Sequence, residues 1–155
     1  MIRVQEQPFD VGQELQALKA GKTKAGNTHV GGTALFLGSV REVTGNDTIS
    51  AITLEHYPGM TEKALAEIED EARKRWLVDD VLIIHRHGRM LPGEDIVLVI
   101  CTSIHREAAF SACEFLMDWL KTKAPFWKQE EHGDKTQWVE AKSTDDVAAA
   151  RWVKM

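Results

Sequence analysis

The chain has 155 residues, 43% of them hydrophobic and 28% charged, which is typical of one globular domain with a sizeable core. Its formal net charge of −5 argues against a general nucleic-acid binder, because such proteins carry a basic surface. The chain has no apolar run of membrane-spanning length and no signal-peptide pattern, so we expect a cytoplasmic protein whose two cysteines are reduced.

The first third of the chain predicts short strands separated by polar loops. Asp10 followed by Gln13 is typical of a helix N-cap and predicts a short helix through Leu18. The predicted strands in this part are Ile2–Val4, Thr33–Val40 and Ile49–Tyr57. The predicted loops are Gly21–Asn27 and Arg41–Asp47, and the Gly-Asn turn signal in the second loop also indicates mobility.

The rest of the chain predicts long amphipathic helices between apolar strands. The predicted helices are Thr61–Trp76, His105–Lys121 and Asp145–Trp152. The predicted strands are Val81–His87, Asp95–Thr102 and Trp138–Ala141, and the second is apolar enough to be central and covered on both faces. We assign Trp76, Trp119 and Trp138 to the core. The order of elements predicts a two-layer α+β sandwich in a single domain, residues 1–155.

The segment Lys121–Lys128 has a proline and two aromatic residues between its terminal lysines. Pro125 cannot continue a helix, so the chain must turn there, and Phe126 and Trp127 should pack the turn against the body. Lys121 and Lys128 would then face one pocket and favour an anionic ligand. The alternative is that Lys121 only compensates the helix dipole and Lys128 is a solvated surface charge.

A second cationic candidate is the pair His105 and Arg106, at the junction of an apolar strand and a helix. Helix N-termini bind anions readily, and Ser103 is the predicted N-cap. An exposed surface pair is the competing interpretation. Arg41 follows a buried strand beside a glycine-bearing loop, a common binding position that is weak evidence alone.

Metal and thiol chemistry have little support in the sequence. His85 and His87 share one strand face, as a metal-binding pair would, but no third ligand is apparent, so we expect no metal site. Cys101 and Cys113 lie in apolar segments and are expected to be buried and unreactive.

Five segments, in this order along the chain, resemble the large catalytic subunit of molybdopterin synthase, the MoaE family. They are Gly38–Arg41, Leu54–Met60, Ile84–Gly88, Ser103–Arg106 and Lys121–Lys128. The resemblance covers nearly the whole chain, and its second and fifth segments are the most specific. Ser39 stands where the family often has lysine, which removes one potential phosphate contact.

The resemblance implies an α/β hammerhead fold with a small antiparallel β subdomain, to which residues 40–57 contribute a strand and a mobile loop. It implies a heterotetramer whose large subunits form a central homodimer. Its ubiquitin-like small subunit, a sulfur carrier, ends in a Gly-Gly thiocarboxylate. That tail donates sulfur to cyclic pyranopterin monophosphate and so forms the dithiolene of molybdopterin. No cofactor is implied, because the sulfur arrives already activated.

The resemblance also implies roles for individual residues. Lys121 and Lys128 correspond to the main catalytic lysines of the family. The residues that correspond to its substrate pocket are Arg41, His105, Arg106 and Glu130. A non-catalytic module that binds an anionic metabolite or an acidic peptide tail is the alternative function, since the same basic pocket would serve it.

Overall fold

The computed structural model describes residues 1–21 and 26–153. Its strands are β1 (Ile2–Gln5), β2 (Gly32–Ser39), β3 (Val43–Thr44), β4 (Asp47–Thr48), β5 (Ala51–His56), β6 (Val81–Arg86), β7 (Gly88–Met90), β8 (Asp95–Ser103), β9 (Phe126–His132) and β10 (Lys135–Val139). Its helices are α1 (Val11–Ala20), α2 (Met60–Arg75), α3 (Arg106–Lys123) and α4 (Ser143–Ala150). Within the described ranges, no helix has the length and apolarity needed to cross a membrane.

The first sheet has the strand order β1-β6-β8-β2, with β1 parallel to β6 and the other pairs antiparallel. Strand β8 is central, as predicted, and its side chains alternate between two cores. Val97, Val99 and Cys101 pack with α2 and α3, whereas Leu98 and Ile100 face the apolar side of α1. The α+β class is thereby confirmed, and β8 is covered on both faces.

An aromatic cluster closes the larger core beneath α3. The ring of Phe115 is fully buried and lies within 4.5 to 5.7 Å of the rings of Trp76, Trp119 and Trp152. Trp152 is 7% exposed and donates from Nε1 to the Asp118 carboxylate at 2.7 Å. These contacts hold the end of the described chain against α2 and α3.

The second sheet is antiparallel, with the order β10-β9-β5-β7. Of its strands, the sequence predicts β5 well and β10 with a shifted position, but it does not predict β7 or β9. The sequence does not predict β9, because charged residues and a histidine interrupt its apolar pattern: Lys128, Glu130, Glu131 and His132. Its backbone pairs with both β5 and β10, so tertiary pairing overrides a weak local signal.

The break between α3 and β9 falls where Pro125 predicts it. Ala124 ends the helix in an extended conformation (φ −81°, ψ 131°), as the residue before a proline prefers. The Thr61 hydroxyl, fully buried, donates to the Pro125 carbonyl and accepts from the Tyr57 amide, both at 3.0 Å. These bonds fix the turn to the beginning of α2.

Other boundaries differ from the sequence prediction in local ways. The predicted loop Arg41–Asp47 contains part of a two-stranded hairpin, β3-β4. Ser103 is not the N-cap of α3, because β8 continues through it in register with Gly32, and His105 takes the cap position. Of the predicted loop Gly21–Asn27, residues 22–25 lie outside the described structure.

Two tryptophan assignments also change. Trp138 is 55% exposed rather than buried, because it lies on β10 at the edge of the second sheet. Trp127 is 47% exposed, because alternation along β9 directs it away from the face that carries Phe126. Only Phe126 therefore packs the Pro125 turn as predicted.

Replacing Trp152 tests this revised core. Trp152→Ala should lower the free energy of unfolding by about 3 kcal/mol, because it removes a buried ring from a packed cluster. The matched control Trp138→Ala should cost less than about 1 kcal/mol, because that ring is already solvated. Urea unfolding followed by circular dichroism measures both, and equal losses would contradict the assignment.

Candidate functional site

The structure has a cavity of about 630 Å³ between the two sheets, at the C-terminal end of α3. Its cationic lining residues are Arg41, Lys121, Lys128 and Lys142. Another cavity of about 430 Å³ lies beside α1, with Lys19 as its charged residue. The larger cavity is the candidate site, because it gathers cations on a chain whose net charge is −5.

Lys121 lies in the last two turns of α3 and reaches the cavity from the helix end. Burial in the cavity lowers its pKa, and the charges of Lys128, Lys142 and Arg41 lower it further, against the opposing effect of Asp145. The side chain is nevertheless solvent-accessible, because the cavity that surrounds it is open. Contact with water therefore limits how far the pKa of Lys121 falls. A lowered pKa favours a lysine that can transfer a proton.

Lys128 enters the same cavity from β9. Its Nζ lies 3.5 Å from Oε2 of Glu130, whose side chain is only 4% exposed. Glu130 does not line the cavity itself but lies behind Lys128 on the same strand face. The break at Pro125 thus brings two lysines, one from a helix and one from a strand, to one site.

The wall of the cavity beside these lysines is aromatic. The Phe126 ring stacks on the buried His85 ring, with centroids 3.8 Å apart and planes 19° apart. Nδ1 of His85 lies 2.9 Å from the Arg86 carbonyl, so Nδ1 carries the proton and donates. Burial is the main cause that lowers the pKa of His85 to about 4. A neutral imidazole therefore lines the cavity near Lys121.

The structure places four of the six candidate residues at the cavity, with Glu130 behind Lys128, and two of them elsewhere. Arg41 lies just beyond β2 and lines the cavity with Lys121 and Lys128. His105 and Arg106 lie at the opposite end of α3, about 22 Å from Lys121 by helix rise. Both are exposed there, and within one chain they do not line this cavity.

The cavity includes functional groups that sequence reasoning did not select. Lys142 and Asp145 reach it from the beginning of α4, and His85 from β6. The sequence indicates His85 only as one member of a potential metal-binding pair. Lys142 and Asp145 follow β10 in a polar stretch with no distinctive spacing, so nothing local marked them. They reach the site because the chain, after strand β10 of the second sheet, runs back to the C-terminal end of α3.

The structure also shows where the histidine pair and the two cysteines lie. His87 packs against His56 rather than His85, with ring centroids 4.2 Å apart and planes tilted by 36°. Within residues 1–21 and 26–153, no group of three or more potential ligands could hold a metal ion. Cys101 and Cys113 are both buried, as predicted. The hydrogen bond between the two thiols is the main cause that raises the pKa of the Cys101 thiol, and burial raises it further.

Fold and cavity together define an α+β protein with a pocket that four cationic side chains line. A family model described as "MoaE protein" matches residues 4–123. The molybdopterin synthase catalytic subunit of Ralstonia nicotianae is 51% identical over 151 residues, covering 97% of this chain and 83% of the relative. The subunit of the same description from Escherichia coli is also 51% identical, with 97% of each chain covered.

Solved structures agree with these relatives. The molybdopterin biosynthesis MoaE protein from Burkholderia ambifaria has a TM-score of 0.82 and 50% identity, and the match covers 99% of this chain and 97% of that one. A complex of subunits 1 and 2 of molybdopterin-converting factor from Helicobacter pylori has a TM-score of 0.74, with 92% of each chain covered. Its 20% identity supports the fold alone.

The chain therefore belongs to the MoaE family. Its function is that of the catalytic subunit of molybdopterin synthase, an enzyme of molybdenum cofactor biosynthesis. The family match ends at residue 123, before β9, but the relatives align over 97% of the chain, so their similarity extends over Lys128 and Glu130.

The buried His85 ring predicts an acid-sensitive stability. The folded-state pKa of about 4 lies below the ordinary value of 6.5. Between these values the unfolded chain binds a proton that the folded chain excludes, so stability falls as pH falls. From pH 7.5 to pH 5, His85 should remove about 2 kcal/mol from the free energy of unfolding.

Urea unfolding at both pH values checks this expectation. His85→Phe keeps an aromatic ring against Phe126 but cannot bind the proton. Its stability should therefore fall less than that of the wild-type protein over the same pH interval. Equal losses in the two proteins would contradict the buried, neutral assignment.

Proposed function

We propose that the larger cavity is where sulfur passes from a thiocarboxylated protein tail to cyclic pyranopterin monophosphate. The observation that carries this proposal is the convergence of Lys121, Lys128 and Arg41 on one cavity in an acidic chain. Both reactants are anionic, and fixed cations in a partly desolvated cavity attract such groups more strongly than they would in water. The cavity volume of about 630 Å³ is in the range of small-molecule sites.

In this proposal the two lysines are the catalytic residues. Lys121 lies beside the thiocarboxylate and stabilises the negative charge that develops as sulfur is transferred. Its lowered pKa also suits it to transfer a proton. Lys128 contacts the pterin substrate, Arg41 binds its phosphate, and Glu130 holds the Lys128 ammonium in place.

The proposed sulfur donor is a small ubiquitin-like subunit whose C-terminal Gly-Gly tail enters the cavity. The relatives at about 50% identity are named as the catalytic subunit of molybdopterin synthase, and a catalytic subunit implies a further subunit, which supports a partner for this chain. The sulfur would arrive on that tail, so the chain needs no reactive thiol and no redox cofactor of its own. We also assign the protein to the cytoplasm, where both buried cysteines stay reduced.

We further propose that a second copy of the chain completes the cavity. Strand β2 is an edge strand, and it exposes Leu35, Phe36 and Leu37. An apolar edge of eight residues is a liability unless another chain covers it. Two β2 edges facing each other about a twofold axis would form the homodimer core of a heterotetramer.

The same twofold arrangement would return His105 and Arg106 to the site. Gly32, at the beginning of β2, lies against the Arg106 backbone, whereas Ser39 at the other end lines the cavity. Because a twofold axis sets the strands antiparallel, the Gly32 end of one copy would lie near the Ser39 end of the other. Each cavity would then receive His105 and Arg106 from the partner copy, as substrate-binding residues.

Lys121→Ala tests the catalytic assignment. It should lower kcat by at least about 10²-fold, because it removes a charge that stabilises the transition state. The matched control is Lys123→Ala, since Lys123 lies over the Trp119 ring at 4.1 Å and does not line the cavity. Dithiolene product formed from thiocarboxylated small subunit and cyclic pterin is the measurement. Near-full turnover by Lys121→Ala would refute the role, and binding without conversion by the wild-type protein would favour the non-catalytic module.

Mixing two inactive variants tests the shared cavity. In a heterodimer of Lys121→Ala with Arg106→Ala, one cavity has lost both residues and the other retains both. Random reassortment should restore roughly a quarter of the wild-type activity. Lys121→Ala mixed with Lys128→Ala is the control and should stay inactive, because both residues come from the same copy. Equal recovery in both mixtures, or in neither, would contradict the shared-cavity arrangement.

A further inference from the structure

His132 lies next to the proposed catalytic machinery but is not part of the cavity lining. It shares a face of β9 with Lys128 and Glu130, since the three residues alternate along the strand. Its Nε2 lies 3.3 Å from Oε1 of Glu130, and its Nδ1 lies 3.1 Å from the Thr48 carbonyl. The imidazole therefore bridges the β3-β4 hairpin and the buried carboxylate behind Lys128.

Each ring nitrogen of His132 has one contact. A carbonyl oxygen can only accept, so Nδ1 must carry a proton to bond with Thr48. Nε2 lies against Oε1 of Glu130 at 3.3 Å, so the position of the ring limits where the buried carboxylate can lie.

This contact matters because Glu130 is buried and has few partners. The residue is 3% exposed, and its carboxylate lies between the Lys128 ammonium on one side and His132 on the other. Among the described residues, neither contact is an aligned hydrogen bond. The carboxylate is thus confined between two neighbouring side chains, and removal of the His132 ring would leave space on that side.

We propose that His132 is a positioning residue for sulfur transfer, which acts on Lys128 through Glu130. By holding Oε1, it keeps Oε2 directed at the ammonium and prevents the carboxylate from drawing Lys128 out of the cavity. The inference rests on the proposed sulfur-transfer function. The contact between His132 and Glu130 determines where the carboxylate lies, and the carboxylate in turn positions the Lys128 ammonium.

Two substitutions separate this role from that of a simple hairpin anchor. The amide of His132→Gln reaches the position of Nε2 and keeps an N–H directed at Glu130. The shorter amide of His132→Asn reaches the position of Nδ1 and keeps only the bond to Thr48. His29→Gln is the control, because it also replaces a histidine paired with a carboxylate, Asp79, but at an exposed position outside the cavity.

The measurements are kcat and KM for the cyclic pterin, together with the unfolding temperature. His132→Asn should lower kcat about tenfold with a smaller change in KM, whereas His132→Gln should stay within about threefold of wild type. His29→Gln should leave both constants unchanged. Equal effects of the two His132 substitutions, or a larger loss in His132→Gln, would overturn the proposal.

A second measurement needs no stable His132 variant. Nitrogen-15 NMR of the wild-type ring should detect a proton on Nδ1, as its bond to the Thr48 carbonyl requires, and a bare Nδ1 would overturn the proposal. Failure of the underlying function is distinguishable, because the wild-type protein would then form no dithiolene product at all. Product from wild type, with no difference between the Gln and Asn variants, would refute the role of His132 alone.

Discussion

The break at Pro125 is the constraint on which the site depends. It ends α3 and starts β9 within two residues, so that a lysine from each element reaches the same cavity. A continued helix would place Lys121 and Lys128 about two turns apart along one rod. The buried Thr61 hydroxyl secures the break by bonding the Pro125 carbonyl. This turn therefore connects the beginning of α2 with the position of the two lysines in the cavity.

The distribution of charge favours the anionic reactants proposed above, although the chain as a whole is acidic. The chain has 24 acidic and 19 basic residues, yet Arg41, Lys121, Lys128 and Lys142 line one cavity. Their mutual repulsion contributes to the lowered pKa of Lys121, and Asp145 partly relieves it. An anionic ligand would relieve the same repulsion further, so binding energy is stored in the unliganded arrangement. The acidic remainder of the surface disfavours nonspecific binding of nucleic acids.

The sequence predicts the helices and the central strands well, because their apolar periodicity is strong. It predicts the α3–β9 turn from the geometry of proline alone. It does not predict β9, because charged residues interrupt the apolar pattern of that strand. Nor does it show that Trp138 lies at a sheet edge while Trp152 fills the core. His105 and Arg106 are far from Lys121 because α3 is long and β8 ends at its N-terminal side. A sequence motif identifies these residues but does not show the distance between them.

The burial of both thiols has a chemical consequence. In the proposed reaction, an accessible cysteine thiolate could attack the carbonyl carbon of the tail's thiocarboxylate, which forms a thioester and releases the sulfur as hydrosulfide. Cys101 and Cys113 lie within the core between β8 and α3, out of reach of a tail in the cavity. The packing that stabilises the fold thus also keeps both thiols away from this competing reaction, in which the sulfur would be lost.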